Sequence, residues 1–391
     1  MRRFAWVMIF FAGVSAAAGA QQSPTERAAV AAAAVQRFYV PATGLFCPGA
    51  GVGGDCWWYS ANELTALIDY SRAAKSKDAV AVLANTYTAA KFMSPQRDTI
   101  GPFLDSWTDD DGWWGLAWVD AYDYAKVYDP AHAERYLTQA KDIFTYMAAQ
   151  WETTDCGGGL WQNQKPTHTK DAIANEVFLA LAASLSRRTG EQLYGDWAMR
   201  EWKWFSATGM INSDHLVDDH LSSAKSPHPC APQHGQFWTY NQGVLLGALT
   251  DLYESNKASN PKLADSFLKQ ATSIADCVID KHCGGNTNIS HFPLVDARGI
   301  LTEACGTNPC TYGPSYQFKG IFVRNLAKLN KATGKYTAFL AANAASAWTQ
   351  DRNTDNLFGF YWDSPPPFYL PDGGKGAVQG TALDLLNTQI P

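Results

Sequence analysis

The sequence predicts an all-α chain whose helices close into an (α/α)6 barrel, and three observations carry that prediction. Apolar residues recur at helical spacing in twelve stretches: 24–40, 59–74, 77–94, 112–128, 131–150, 169–189, 191–207, 240–256, 260–280, 317–332, 335–350 and 377–389. The stretches alternate in character, one apolar on nearly every side and the next charged along one face. Similar turns join them, at Asp129-Pro130, Arg188-Thr189-Gly190 and Ala332-Thr333-Gly334, and an aromatic ring recurs at Tyr136, Tyr194, Phe267 and Tyr336. Together these make a weak internal repeat of roughly 60 residues.

The two kinds of helix take different places for a physical reason. Ile173 to Leu185 and Val244 to Leu252 have no broad polar face, so they must be buried on several sides. Asp129 to Trp151 and Asn260 to Asp280 carry charge along one face and suit an outer position. Each helical hairpin leaves its inner face uncovered, and closing the ring lets neighbours cover it. An open helical solenoid is the alternative. No Gly/Ser linker or charge block divides residues 21–391, so a single catalytic-sized domain is expected.

The first twenty residues read as an export signal: Arg2 and Arg3, an apolar run from Phe4 to Val14, then the small residues Ala18-Gly19-Ala20. That run is too short to span a bilayer, and the chain ends polar at Asn387 to Pro391. A secreted or periplasmic protein without a membrane anchor is the expectation. Eight cysteines fit an oxidising compartment, with Cys47–Cys56, Cys156–Cys230, Cys277–Cys283 and Cys305–Cys310 as expected pairs. Neither paired CxxC nor HExxH occurs, so no metal or cofactor is expected. The net charge of -6 speaks against nucleic acid. A monomer is expected, and Asn288-Ile289-Ser290 is a glycan acceptor if the host is eukaryotic. Fifteen Trp and seventeen Tyr suit sugar stacking, although a large helical core would use them too.

Polar clusters fall at or just before the starts of the inner helices: Trp57-Trp58-Tyr59, Asp109-Asp110-Asp111, His168-Lys170-Asp171, Tyr240-Asn241-Gln242, Gln317-Phe318-Lys319 and Gln379. Parallel inner helices would bring all six to one end of the barrel. The aspartate run could simply cap a helix, since acids in a first turn gain about 0.3–1 kcal/mol from the helix dipole. Gly112, Trp113 and Trp114 come next, however, and can shape a cleft floor. Adjacent acids at a helix start can stand about 5–6 Å apart, the spacing of a retaining glycosidase pair. The helix terminus would keep one ionised, and that charge would raise the other. A terpene-synthase reading fails for want of a second acid along one helix face. Asp218-Asp219, in an inter-hairpin loop without aromatic neighbours, is the rival pair, and His215 and His220 read as solvated. Asn175 reaches the cleft or sits as a satisfied buried amide; Asn241 meets sugar hydroxyls or caps its helix; Lys319 bonds a hydroxyl or balances acids.

Asp109-Asp110-Asp111-Gly112-Trp113-Trp114-Gly115 is followed by Cys156 to Trp161 (CGGGLW), Lys170 to Phe178 (KDAIANEVF), Trp238 to Gly243 (WTYNQG) and Gln317 to Leu326 (QFKGIFVRNL). In these pieces and their order the chain resembles glycoside hydrolase family 76, the α-1,6-mannanases and their fungal transglycosylase relatives. The resemblance implies an (α/α)6 barrel, a retaining mechanism and α-mannan as polysaccharide substrate. It implies Asp109 as nucleophile and Asp110 as acid/base, with Trp57, Trp58, Trp114, Asn175, Tyr240, Asn241 and Lys319 lining subsites. Thr108 departs from the Asn that fungal relatives often carry, which leaves fine substrate preference open. The leading expectation is an endo-acting α-1,6-mannan hydrolase. A cell-wall transglycosidase acting on a mannose-containing anchor glycan and a catalytically inactive sugar-binding protein are the alternatives.

Overall fold

The computed structural model of the chain describes residues 22–48, 55–94, 100–163, 169–223, 225–235, 237–280, 282–283, 293–303, 313–366, 370 and 372–391. The expected signal segment, His168, the expected Cys305–Cys310 pair and Asn288 to Ser290 lie outside the described residues. Among those described there are twelve α-helices: α1 (Pro24–Gln36), α2 (Cys56–Ala73), α3 (Asp78–Ala89), α4 (Thr108–Tyr128), α5 (Ala133–Gln150), α6 (Ala172–Thr189), α7 (Gln192–Ala207), α8 (Thr239–Asn256), α9 (Pro261–Ile279), α10 (Phe318–Thr333), α11 (Thr337–Gln350) and α12 (Asp372–Asn387). Some inner helices start earlier than their apolar pattern. α4 takes Asp109 to Asp111 into its first turn, and α12 begins in a glycine-rich stretch, so Gln379 lies two turns inside.

The even-numbered helices form the inner ring. α2 packs on α4, α4 on α6, α6 on α8, α8 on α10, α10 on α12, and α12 returns to α2. That last contact closes the barrel and excludes the open solenoid. In α6, every residue from Ala172 to Leu185 is buried, as a helix with neighbours on all sides must be. At the α8–α10 contact a Cβ on Gly243 would stand 2.5 Å from the Phe322 backbone, so glycine allows the two helices to meet. The outer helices bury one stripe. In α9 it is Ala264, Phe267, Ala271, Ile274, Ala275 and Val278.

The repeat is clearer in backbone conformation than in sequence. Gly44, Phe103, Gly159, His215, Gly299 and Asn356 are all left-handed, and each precedes a Leu or Ile in the segment leaving an outer helix. In three of these segments a side-chain oxygen, from Asn212, Asp296 or Asn353, accepts the amides two and four residues ahead. Inner-helix amides then grip the segments through both backbone groups of one residue. Asn175 holds Leu160, Gln242 holds Val217 and Gln379 holds Phe358.

Disulfides join Cys47 to Cys56, Cys156 to Cys230 and Cys277 to Cys283, three of the expected pairs. No helix among the described residues is long and apolar enough to cross a membrane.

At the C-terminal ends of the inner helices, polar side chains link each helix to the next around a cavity of about 780 Å³. Arg72 of α2 reaches Asp120 of α4, which also meets Arg188 of α6. Asp251 of α8 takes Arg187 of α6 and Lys328 of α10, and Arg324 of α10 reaches Asp384 of α12 and Asn62 of α2. Asp251 is the hub. Burial opposes its charge, yet Lys328, Arg188 and Arg187 outweigh that and hold its pKa below the usual carboxylate value. Its contribution is therefore present above the unfolded pKa and lost as pH falls through the folded one. Asp251→Ala should destabilise the fold by about 3 kcal/mol, the low end for a broken buried pair because both cations are part-exposed and can rehydrate. Urea unfolding at neutral pH measures it, and an unmoved midpoint would show that the circuit contributes nothing.

Candidate active site

The site forms where the inner helices begin, at the end opposite that cavity. Trp107 stands extended before α4, so the helix's first turn carries Asp109, Asp110 and Asp111 with their charges at its positive end. The approach to this turn is fastened twice. The Asp105 amide donates to Asp111 Oδ1 at 2.8 Å, and the Trp107 amide donates to Asp105 Oδ1 at 2.6 Å. The Thr108 amide donates to the Gln162 carbonyl at 2.9 Å, and Trp107 pairs with Asn163. Asp111 is thereby a structural acid, while Asp109 is partly open and Asp110 is buried beside it.

A second acid comes from the α7–α8 connection. Residues 219–221 run beside the start of α6: the Ala172 amide donates to the Asp219 carbonyl at 2.7 Å, and the Leu221 amide to the Lys170 carbonyl at 3.0 Å. Successive side chains on an extended segment point to opposite sides. Asp218 turns into the protein against His234 at 2.7 Å, whereas Asp219 turns towards Asp109 and Asp171. Asp219 Oδ2 meets His220 Nδ1 at 3.0 Å, and Asn241 Nδ2 donates to Asp219 Oδ1 at 3.3 Å. Asn241 is fully buried and its Oδ1 has no partner. The rival pair is therefore split, with one member inside the candidate site. His220 is not simply solvated.

Burial and crowding set the charge states. Asp109 is pushed up to about 7, first by burial and then by the charges of Asp105 and Asp219. Asp110 is raised well above the ordinary range, by burial first and then by Asp105 and Asp109. Asp171, whose carboxylate caps α6 by accepting the Ala174 amide, is likewise raised by burial, Asp109 and Asp219. Of the adjacent pair, Asp109 ionises first and Asp110 keeps its proton. Burial, rather than the helix terminus, is the first cause of both shifts.

Aromatic rings cover one side. Trp58 lies 6.1 Å from Trp113 and 6.2 Å from Phe318, and Tyr240 stacks on Phe318 at 3.7 Å. Trp107, two residues before Asp109, is 40% exposed, so its indole is open to a ligand.

Four expected subsite residues are placed elsewhere. Trp57 and Trp114 pack on each other and on Phe103 in the core, with no accessible face to offer a sugar. The helical step of about 100° sends Trp58 and Trp113 to the inner side instead. Asn175 is a satisfied buried amide, bonded to Leu160 and the Asp171 carbonyl. Lys319 is buried under Phe360 and Trp362, donates to the Phe360 carbonyl, and is lowered to about 8 by burial. Asp105 and Trp107 are the site residues that sequence reasoning did not single out; Asp219 entered it only as half of the rival pair, and Trp113 only as a ring on the cleft floor. No three His, Cys, Asp or Glu among the described residues converge as metal ligands.

The model of glycosyl hydrolase family 76 matches residues 23–387. The chain belongs to this family. It is 30% identical to the mannan endo-1,6-alpha-mannosidase DCW1 of Candida albicans over 208 residues, covering 50% of this chain and 44% of that protein. It is 28% identical to the mannan endo-1,6-alpha-mannosidase DFG5 of the same organism, covering 68% and 61%. The chain thus spans about half the length of the curated relatives it matches. Among solved structures, an inactive variant of the α-1,6-mannanase of Salegentibacter sp. HEL1_6, in complex with α-1,6-mannotriose, superposes with a TM-score of 0.77 at 17% identity, covering 94% of this chain and 99% of that one. Dfg5 of Chaetomium thermophilum, in complex with glucosamine, gives 0.72 at 20% identity, covering 93% and 90%. These likenesses show a shared (α/α)6 barrel.

Proposed function

We propose that this family 76 chain is a secreted retaining glycoside hydrolase that cuts α-1,6-linked mannan internally, with Asp109 as nucleophile and Asp110 as acid/base. The observation that supports it most is the pair itself: two adjacent carboxyls in one helical turn, one partly open and ionising first, the other buried and protonated. Asp110 gives its proton to the glycosidic oxygen as that bond breaks, while an Asp109 oxygen bonds to the anomeric carbon. Asp110, now a carboxylate, takes a proton from water. The resulting hydroxide oxygen attacks the anomeric carbon and releases Asp109. In this reading Asp219 and Asn241 bond sugar hydroxyls, and Trp58, Tyr240 and Trp107 meet sugar faces. Mannan names on the relatives and the disulfides support a cell-wall polysaccharide outside the cytoplasm as substrate.

Digesting linear α-1,6-mannan should release short reducing oligomers. Transfer products without net hydrolysis would turn the reading to transglycosylation, and binding without turnover to an inactive lectin-like protein. Trp107→Ala should raise KM about tenfold, the loss of one stacked ring, with kcat nearly unchanged. Initial rates against mannan concentration check this, and an unaltered KM removes Trp107 from the sugar path.

A further inference from the structure

We propose that Asp105 is a positioning residue for the acid/base: its buried carboxylate, anchored by the Trp107 amide, holds the proton of Asp110 in the empty site. The proposal rests on Asp110 being the acid/base. Asp105 lies four residues before the pair, outside α4, and is 1% exposed. Contacts to described residues fix it. Its own amide donates to Asp111, its Oδ1 accepts the Trp107 amide, and its carboxyl is hydrogen-bonded to that of Asp110.

Two carboxyls in contact cannot both ionise cheaply, so one proton resides between them. Asp105 is the better anion because it accepts a backbone amide, and it lies at about 6 against Asp110 well above the ordinary range. Burial is the first cause for both. Among the described residues, the other groups facing this pair are Asp109 and Asp111 on α4 and Tyr146 on α5, with Asp171 and Asp219 acting on Asp109 from across the site. An ionised Asp105 therefore keeps Asp110 protonated where an isolated Asp would long have lost its proton. When a glycosidic oxygen arrives, the Asp110 proton passes to it. The Asp110 carboxylate left behind, beside a charged Asp105, is a stronger base for the water of the second step.

The test is the pH profile of kcat/KM, which reports the groups of the free enzyme. In Asp105→Asn the charge is gone and the new amide can donate to the Asp110 carboxylate, so the alkaline limb should move to lower pH. Relative to wild type, kcat/KM should fall about tenfold further at about pH 8 than at about pH 5.5. Asp105→Glu, which keeps the charge, should restore the wild-type limb. Should the Asn variant not fold, Asp105→Ser removes the charge, retains an acceptor for Trp107 and must show the same displaced limb. A uniform loss at every pH with the limb in place overturns the proposal, as does a Glu variant that behaves like the uncharged ones. Asp110→Asn is assayed alongside. If it stays active, the assignment of Asp110 itself has failed; if it is inactive and the limb is unmoved, only the role of Asp105 has.

Discussion

Asp109→Asn is expected to lower turnover of α-1,6-mannan by at least about 10⁴-fold, since in the proposed mechanism Asp109 is the group that bonds the anomeric carbon. Asp110→Asn should cost about 10²–10⁴-fold on mannan. On an aryl mannoside whose leaving group needs no proton, its first step should recover while the second stays slow. That contrast separates the two roles. If Asp109→Asn, rather than Asp110→Asn, recovers on the activated substrate, the assignments are reversed.

The same Asn variants should be more stable than wild type at neutral pH. Asp109 ionises in the fold only near pH 7, and burial is the main reason. A carboxyl whose folded pKa exceeds its unfolded value favours the fold below the unfolded pKa, and that advantage is lost as pH rises through the folded one. At about pH 8 the wild type bears a strained charge that the variant lacks, an effect of about 1–2 kcal/mol because Asp109 is partly open to water. Tm should rise by about 2–4 °C there and be unchanged at about pH 4. A variant that loses activity and melts lower at both pH values would mean that these acids build the fold rather than work in it.

The twelve helices and their inner and outer sorting were legible because apolar periodicity reports burial directly. The aspartate run stood out because three acids at one helix start exceed what capping needs, although Asp111 is structural and Trp114 packs in the core. Asp219 was visible only as half of a rival pair, and its place beside Asp109 was hidden for a physical reason: its loop returns to the start of α6 through backbone hydrogen bonds, which leave no mark on residue type. Asp105 and Trp107 were hidden because each draws its value from Asp109 and Asp110, which lie further along the chain and across a helix boundary. Trp57 and Trp58, or Trp113 and Trp114, are indistinguishable by residue type, and only the helix phase decides which ring faces inward. A finer signal was available. Asn212 to Leu216, Asp296 to Ile300 and Asn353 to Leu357 each pair an Asx residue with Leu or Ile four positions on, which marks the repeat better than the turns chosen.

Lys170→Met should damage stability and catalysis together, although Lys170 touches no expected substrate position. Its buried Nζ collects Glu152, the Asp155 carbonyl at 2.8 Å and the carbonyls of Gly158 and Gly159. Burial lowers its pKa, and Glu152 with Asp155 and Glu201 works against that fall. Gly158 and Gly159 lie so close beneath Trp204 that a Cβ on either would stand 2.4 or 2.3 Å from the ring, so the turn cannot shift to find other donors. Removing the ammonium strands the buried Gly158 and Gly159 carbonyls, whereas Glu152, a quarter exposed, rehydrates more easily. The cost should be about 3–5 kcal/mol, or roughly 5–10 °C in Tm. The slackened turn leads directly to Gln162 and Asn163, which hold Thr108 and Trp107 at the head of α4. A displacement of about 1 Å there is worth about a hundredfold in rate, so kcat should fall more than KM rises. Lys170→Arg should not rescue it, because a planar guanidinium cannot meet acceptors that converge on one point. Calorimetry and initial rates on the two variants decide the matter. A Met variant with unchanged Tm and kcat would show that the Cys156–Cys230 disulfide alone holds this loop against the active site.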